Sequence, residues 1–211
     1  MADAGALVVR LLSDTTFGRG EGTAGEVDVE VEHDELGLPF LGGKSLHGLL
    51  RDTWLSMAQV FPNLQHAARR VLGPSGDLAE TTILRMGDAV VDDATRRWVE
   101  VAVRRPTTPL SRGEVLRSLT DVRWQTSVDR ASGGPESGTL RATRVVLCGL
   151  QFAAPLTWLE LPTHQDLQVL ALSALATRHA GLSRNRGRGH IEVTIDGSLD
   201  GTRALVEELK S

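Results

Sequence analysis

Two stretches of apolar residues at helical spacing set the main limit on what this chain can fold into. Leu46, Leu49, Leu50, Trp54, Met57 and Phe61 recur with a period near one turn, as do Leu167, Leu170, Ala171, Ala174 and Leu175. Each stretch therefore reads as a helix with one face committed to a core. Short apolar runs accompany them. Ala6 to Leu12 has the compactness of a central strand, and Thr82 to Val91 and Ile191 to Ile195 read as further strands. Leu64 to Leu72 reads as a short helix, Leu199 to Leu209 as a terminal one, and Gly181 as the C′ cap of the second long helix. Thr95 to Val103 fits either a strand or a helix.

Leaving out the intervening material, the order is strand, helix, strand, strand, helix, strand. This predicts an α+β chain with a ferredoxin-like (RRM-like) core, its helices on one face of the sheet. With 211 residues, 41% hydrophobic and 24% charged, one core is the simpler expectation. The expected organisation is a single domain, 1–211, with an insertion over about 63–110 and a long hairpin over about 122–147. In that hairpin two extended segments flank a turn-rich tip at Ala131 to Gly138.

The formal net charge of -4 argues against a polyanion partner until its distribution is considered. Arg178 to His190 carries four arginines, two histidines and no acid, whereas Glu21 to Glu35 carries seven carboxylates and no Lys or Arg. Lys44 and Lys210 are the only lysines, so positive charge is almost entirely the planar guanidinium, which suits bidentate phosphate contacts. Within the acidic stretch, Val27 to Glu32 alternates strictly, which predicts a strand with Asp28, Glu30 and Glu32 on one solvated face. On the first long helix Lys44, His47 and Arg51 fall together opposite the core face. Gly48 among them admits a close approach of another backbone, from a packed helix or from a ligand.

Several chemistries are disfavoured. Cys148 is the single cysteine, so disulfides and cysteine-based zinc sites are excluded. There is no P-loop, no His-x-x-x-His pair and no Gly-x-Ser-x-Gly elbow. Met1 to Leu12 lacks a positive n-region and is too short to span a bilayer, so no membrane association and a cytoplasmic location are expected.

Three segments carry a resemblance. Gly37-Leu-Pro-Phe-Leu-Gly-Gly-Lys-Ser-Leu-His-Gly-Leu-Leu-Arg51, the Ser127-Val-Asp-Arg130 start of the hairpin, and Gly181-Leu-Ser-Arg-Asn-Arg-Gly-Arg-Gly189 together resemble the RAMP superfamily of CRISPR-associated proteins. The likeness is to the backbone subunits of type III effector complexes in particular. It implies a subunit that binds guide RNA by its backbone, pairs with target RNA and stacks on other RAMP subunits. Lys44, Ser45, His47 and Arg51 would then be helix-start contacts with guide phosphates, His47 standing where the family more often has lysine. Asp129 and Arg130 would belong to a thumb that kinks the guide–target duplex. Arg184, Arg186, Gly187 and Gly189 would line the other side of the groove. The resemblance further implies Mg²⁺-dependent cleavage of target RNA by a loop aspartate, for which Asp28 is the nearest match as catalytic and metal-holding residue, with Glu32 and Asp34 as alternatives. It also leaves open a non-catalytic structural subunit, and a metal-independent endoribonuclease that processes guide precursors with histidines near a glycine-rich loop.

Overall fold

The computed structural model describes residues 4–74 and 82–210, apart from the side chains of Asn185 and Lys210. In chain order its elements are β1 (Ala6–Leu11), α1 (Gly43–Met57), α2 (Gln65–Leu72), β2 (Leu84–Met86), β3 (Val90–Val91), α3 (Asp93–Val103), α4 (Arg112–Leu119), β4 (Thr120–Gln125), β5 (Arg141–Val146), β6 (Gln151–Trp158), α5 (His164–Ala176), β7 (Ile191–Ile195) and α6 (Leu199–Glu207). The main sheet has the order β2-β6-β1-β7 with antiparallel neighbours, and β3 also pairs with β6. Since β1 and β2 are each antiparallel to β6, they run parallel to one another, with α1 in the connection between them. The chain is thus α+β; β1, α1, β2, β6, α5 and β7 run strand, helix, strand, strand, helix, strand, with β2 inside the 63–110 segment and β6 where the sequence pattern named no strand.

One face of this sheet is the core wall. Leu7, Val9 and Leu11 of β1, Phe152 and Ala154 of β6, and Ile191 and Val193 of β7 are buried. Arg10 and Gln151, on the opposite face, are exposed. Helix α5 packs against α1, α2, α6 and β7, which explains why it is buried almost continuously from Asp166 to Ala174 rather than along one stripe. Trp54 of α1 is buried and stacks on Phe61 at 6.3 Å, a core residue as its spacing on the apolar face implies.

Strand β6 runs unbroken but carries a proline. Pro155 sits in mid-strand without a backbone donor, and its carbonyl accepts from the Gly87 N–H at 2.9 Å. At that level the neighbouring strand breaks into β2 and β3, where a Cβ on Gly87 would come within 2.7 Å of the proline ring. The break also seats α1. A Cβ on Gly43 would lie 2.4 Å from the Met86 carbonyl oxygen, so only glycine lets the helix start against it.

Strands β4 and β5 form a separate two-stranded sheet that carries the hairpin. The segment before α1 clasps its base: Thr15 bridges Val146, Val29 bridges Thr143 in parallel, and Gly18 bridges Val31. Here the expected solvated strand is corrected. Residues 27–32 make isolated bridges on two sides instead of a regular strand, and Glu30 is buried. Its carboxylate accepts from Arg144 Nε at 2.7 Å, from the Val31 N–H and from Thr23 Oγ1. Two boundaries also move. Residues 93–103 are a helix, capped by the Asp92 carboxylate, which accepts from the N–H groups of Ala94 and Thr95. Helix α5 ends at Ala176 because Thr177 turns back to the Ser173 carbonyl, so Gly181 is not its C′ residue.

Candidate nucleic-acid interface

Helix α1 presents an outward row of Lys44, Ser45, Gly48 and Asp52, all exposed, with Leu49 and Thr53 beside them. Nothing lies within 4 Å of a Cβ built on Gly48, which removes intramolecular helix packing as the reason for a glycine there. The row runs into a shallow concavity of about 460 Å³ lined by Leu49, Asp52 and Thr53 of α1 together with Ala176, Arg178, His179 and Arg184. The middle of α1 and the arginine turn thus meet at one surface, while Lys44 and Ser45 lie outside its lining.

The arginine turn is held against the loop after β1. The Leu182 N–H donates to the Thr16 carbonyl at 3.0 Å and the Gly189 N–H to the Asp14 carbonyl at 2.9 Å. Gly181 and Gly189 have positive φ, and a Cβ at either would come within 2.4 Å of a carbonyl oxygen, so this compact return excludes side chains at both. Arg184, Arg186 and Gly187 are left exposed. His179 and His190 bridge the two arms of the turn and stack at 5.4 Å. With the Gln125 amide oxygen facing it, Arg188 donates to that oxygen from both terminal nitrogens at 2.9 and 3.2 Å, which ties the turn to β4.

The start of α1 is built differently from expectation. The Gly43 N–H donates to Asp88 Oδ1 at 2.7 Å. Glu32 Oε2, Ser45 Oγ and Asp88 Oδ1 all lie within 4.0 Å of the position a Gly42 Cβ would take. Two of the chain's own carboxylates therefore stand where the helix dipole would attract a phosphate. Asp88 follows β2 and has no local signal linking it to α1, so sequence reasoning missed it. Nor do Lys44, His47 and Arg51 act as one patch. His47 is half-buried against α2, and its imidazole is held below the usual 6.5, mainly by burial. Arg51 donates to the Pro74 carbonyl.

The three candidate carboxylates have separate surroundings. Asp28 is exposed, and its Oδ2 accepts the Ala142 N–H of β5 at 2.7 Å, leaving Oδ1 open. Glu32 belongs to the α1 start. Asp34 is engaged throughout: Oδ1 accepts from the N–H groups of Leu36 and Leu38, and Oδ2 from Arg96 at 3.0 Å. His33 Nδ1 lies 2.9 Å from Arg112 Nη2. Among the described residues no three His, Cys, Asp or Glu side chains gather closely enough to hold a metal ion. Asp28, through Oδ1, and Glu32, whose carboxylate has no hydrogen bond among the described residues, could each offer Mg²⁺ an oxygen, a donor set that fits an ion completed by water and phosphate oxygens.

At the hairpin tip, Asp129 closes the turn by accepting from the Ala131 N–H and Ser132 Oγ, and the Ala131 hydrogen bond holds its carboxyl below the usual carboxylate value. Arg130 beside it is exposed. Among the described residues no helix is long and apolar enough to cross a membrane.

The fold is that of chains found in CRISPR complexes. A chain of the type III-B Cmr-beta complex in its apo state superposes with a TM-score of 0.66 at 14% identity, covering 92% of this chain and 97% of that one. In the structure of Cmr-beta bound to cognate target RNA the values are 0.65 and 13%, with 97% and 99% covered. A chain of a type IV-B CRISPR complex gives 0.57 and 15%, with 92% and 90% covered. No protein-family model and no curated protein matches at the level of sequence.

Proposed function

We propose that this chain is a guide-RNA-binding backbone subunit of a type III-like CRISPR effector complex, and that it cleaves paired target RNA at Asp28. The observation that carries the reading is the shared concavity: the middle of α1 (Leu49, Asp52, Thr53) and the arginine turn (Arg178, His179, Arg184), far apart in sequence, line one surface. The fold of the neighbouring structures supports it, one of them a complex with target RNA. Lys44, Arg184 and Arg186 contact phosphates, Gly48 lets the RNA backbone approach the helix, and specificity comes from pairing with the guide. Copies or relatives of the chain extend the surface along the RNA, and the hairpin around Asp129 and Arg130 enters the duplex as a thumb.

In the cleavage step the ribose 2′-oxygen bonds to the adjacent phosphorus and the P–O5′ bond breaks, giving a 2′,3′-cyclic phosphate and a 5′-hydroxyl. The 2′ proton passes to solvent and the leaving oxygen takes one from solvent. Asp28 Oδ1 is the oxygen of this chain that would hold Mg²⁺, which supplies charge stabilisation at the phosphate when bound. The Ala142 N–H fixes the carboxylate's direction through Oδ2.

A second reading is a structural subunit without cleavage, favoured by the lack of a carboxylate cluster among the described residues. The assembled complex, purified with its guide, separates the two. Asp28→Ala should retain guide and target but lose regular Mg²⁺-dependent cuts by at least about a hundredfold, on the scale of losing one preorganised charge. If wild-type complex holds target yet never cuts in any divalent metal, the structural reading stands. Cutting that persists in EDTA points instead to His179 and His190.

A further inference from the structure

Trp124 is 63% exposed, although it lies on β4 inside a paired hairpin. Its partner across the ladder is Ala142, and the Ala142 N–H and C=O point away from β4, toward Asp28 and Val29. Trp124 and Ala142 are therefore a non-hydrogen-bonded pair, the close kind, with both side chains on one face. On the other side of β5, Val29 pairs with Thr143 in parallel, which puts Asp28 level with Ala142 and Glu30 level with Arg144. The Glu30–Arg144 ion pair confirms that register. One face of the hairpin base thus carries, in a row, an exposed indole, a methyl group and the open carboxylate of Asp28. Ala142, small and buried, is the residue between the indole and Asp28. The opposite face is occupied within the chain, by Arg123 on Asp14 and Gln125 on Arg188. Arg19 is exposed, and its N–H donates to the Glu30 carbonyl, so a cation stands at the margin of the row.

We infer that Trp124 is a nucleobase platform, on which an unpaired RNA base stacks so that its sugar and phosphate lie over Asp28. The inference rests on the RNA-binding reading above and assigns to it a residue and a base-dependent contact. A stacked base accounts for what a phosphate contact leaves unexplained, a large apolar surface held open beside a carboxylate. An indole stacks on any base, so the contact is sequence-tolerant. By spacing the indole from Asp28 across a single strand, the sheet sets the distance between base and carboxylate.

The test compares binding of the full chain to two labelled single-stranded probes of equal length, one a mixed-sequence RNA and one an abasic ribose-phosphate chain. Wild type should prefer the base-bearing probe by about tenfold. Trp124→Ala should lose that preference while binding the abasic probe unchanged, and Trp124→Phe should keep most of it. Equal preference in wild type and Trp124→Ala overturns the platform, as does a Trp124→Ala defect seen only in association with other subunits. Lys44→Glu with Arg184→Glu tests the groove separately. If that variant loses both probes while Trp124→Ala loses neither, the groove stands and the platform falls. If wild type binds neither probe, both fail.

Discussion

Two residues show how far an individual side chain's environment departs from its place in the sequence. Glu30 sits in an alternating acidic run, yet it is the carboxylate that is buried, because Arg144 from the hairpin meets it. No pattern in the sequence joins positions separated by that much chain. His47 was read as a weak phosphate contact, and the fold turns it toward α2. Burial holds its imidazole below 6.5, Arg51 and Arg85 add to this, and the Val71 carbonyl opposes it. Above pH 6.5 neither folded nor unfolded chain carries this proton, and the contribution to stability is complete. As pH falls below 6.5 the unfolded chain takes up a proton that the folded chain resists, so stability is lost down through the folded value. Urea titrations between neutral and mildly acidic pH should therefore show a fall in stability that is shallower in His47→Gln. An identical pH profile in the variant would mean that this imidazole does not discriminate between the two states.

At the scale of elements, the parts that repeat an apolar period were legible: β1, α1, α5 and β7 lie where their spacing put them. What escaped was decided by single atoms. Pro155 lacks the donor a central strand needs, so β6 did not read as a strand and its neighbour is broken at Gly87. Helix α4, opened by a capping box between Ser111 and Glu114, lies where the sequence reading named no element. In the candidate interface the two basic segments were legible in the sequence, whereas the occupation of the α1 start by Asp88 depended on a contact across the sheet break. Helix α1 also carries a conflict within itself. Gly48, mid-helix with open space around it, costs about 1 kcal/mol relative to alanine. Gly48→Ala should raise the unfolding free energy by roughly that amount in denaturant titrations, and should weaken RNA binding because the added methyl group stands where a sugar-phosphate strand approaches. A variant that is more stable and binds equally well would leave the glycine without a role at the surface.

On the scale of the whole molecule, charge is separated rather than balanced. Four of the seven carboxylates from Glu21 to Glu35 meet donors within the chain, Glu26 and Glu30 on Arg144, Asp28 on the Ala142 N–H and Asp34 on Arg96, and Glu32 stands at the start of α1. The arginine turn keeps Arg184 and Arg186 exposed. A chain of net charge -4 can therefore present a cationic surface to RNA. Affinity for single-stranded RNA should fall with salt, and replacing Arg184 and Arg186 with Gln should reduce the log–log slope by about 0.7 for each phosphate contact removed. An unchanged slope would place these guanidinium groups away from the RNA.

The broken rim of the main sheet bears on how copies could meet. On the β2 side the rim is three residues, an interruption and two more, with Leu41 already hydrogen-bonded to Ala89 beyond it. On the β7 side the outward N–H groups of Ile191 and Ile195 are taken by the Arg178 carbonyl and the Thr202 hydroxyl. Neither margin offers a run of free main-chain groups onto which a neighbour could be templated. Copies that meet at either margin of the main sheet would be joined there through side chains, and the number that line up could then be set by the RNA they cover rather than by growth of that sheet.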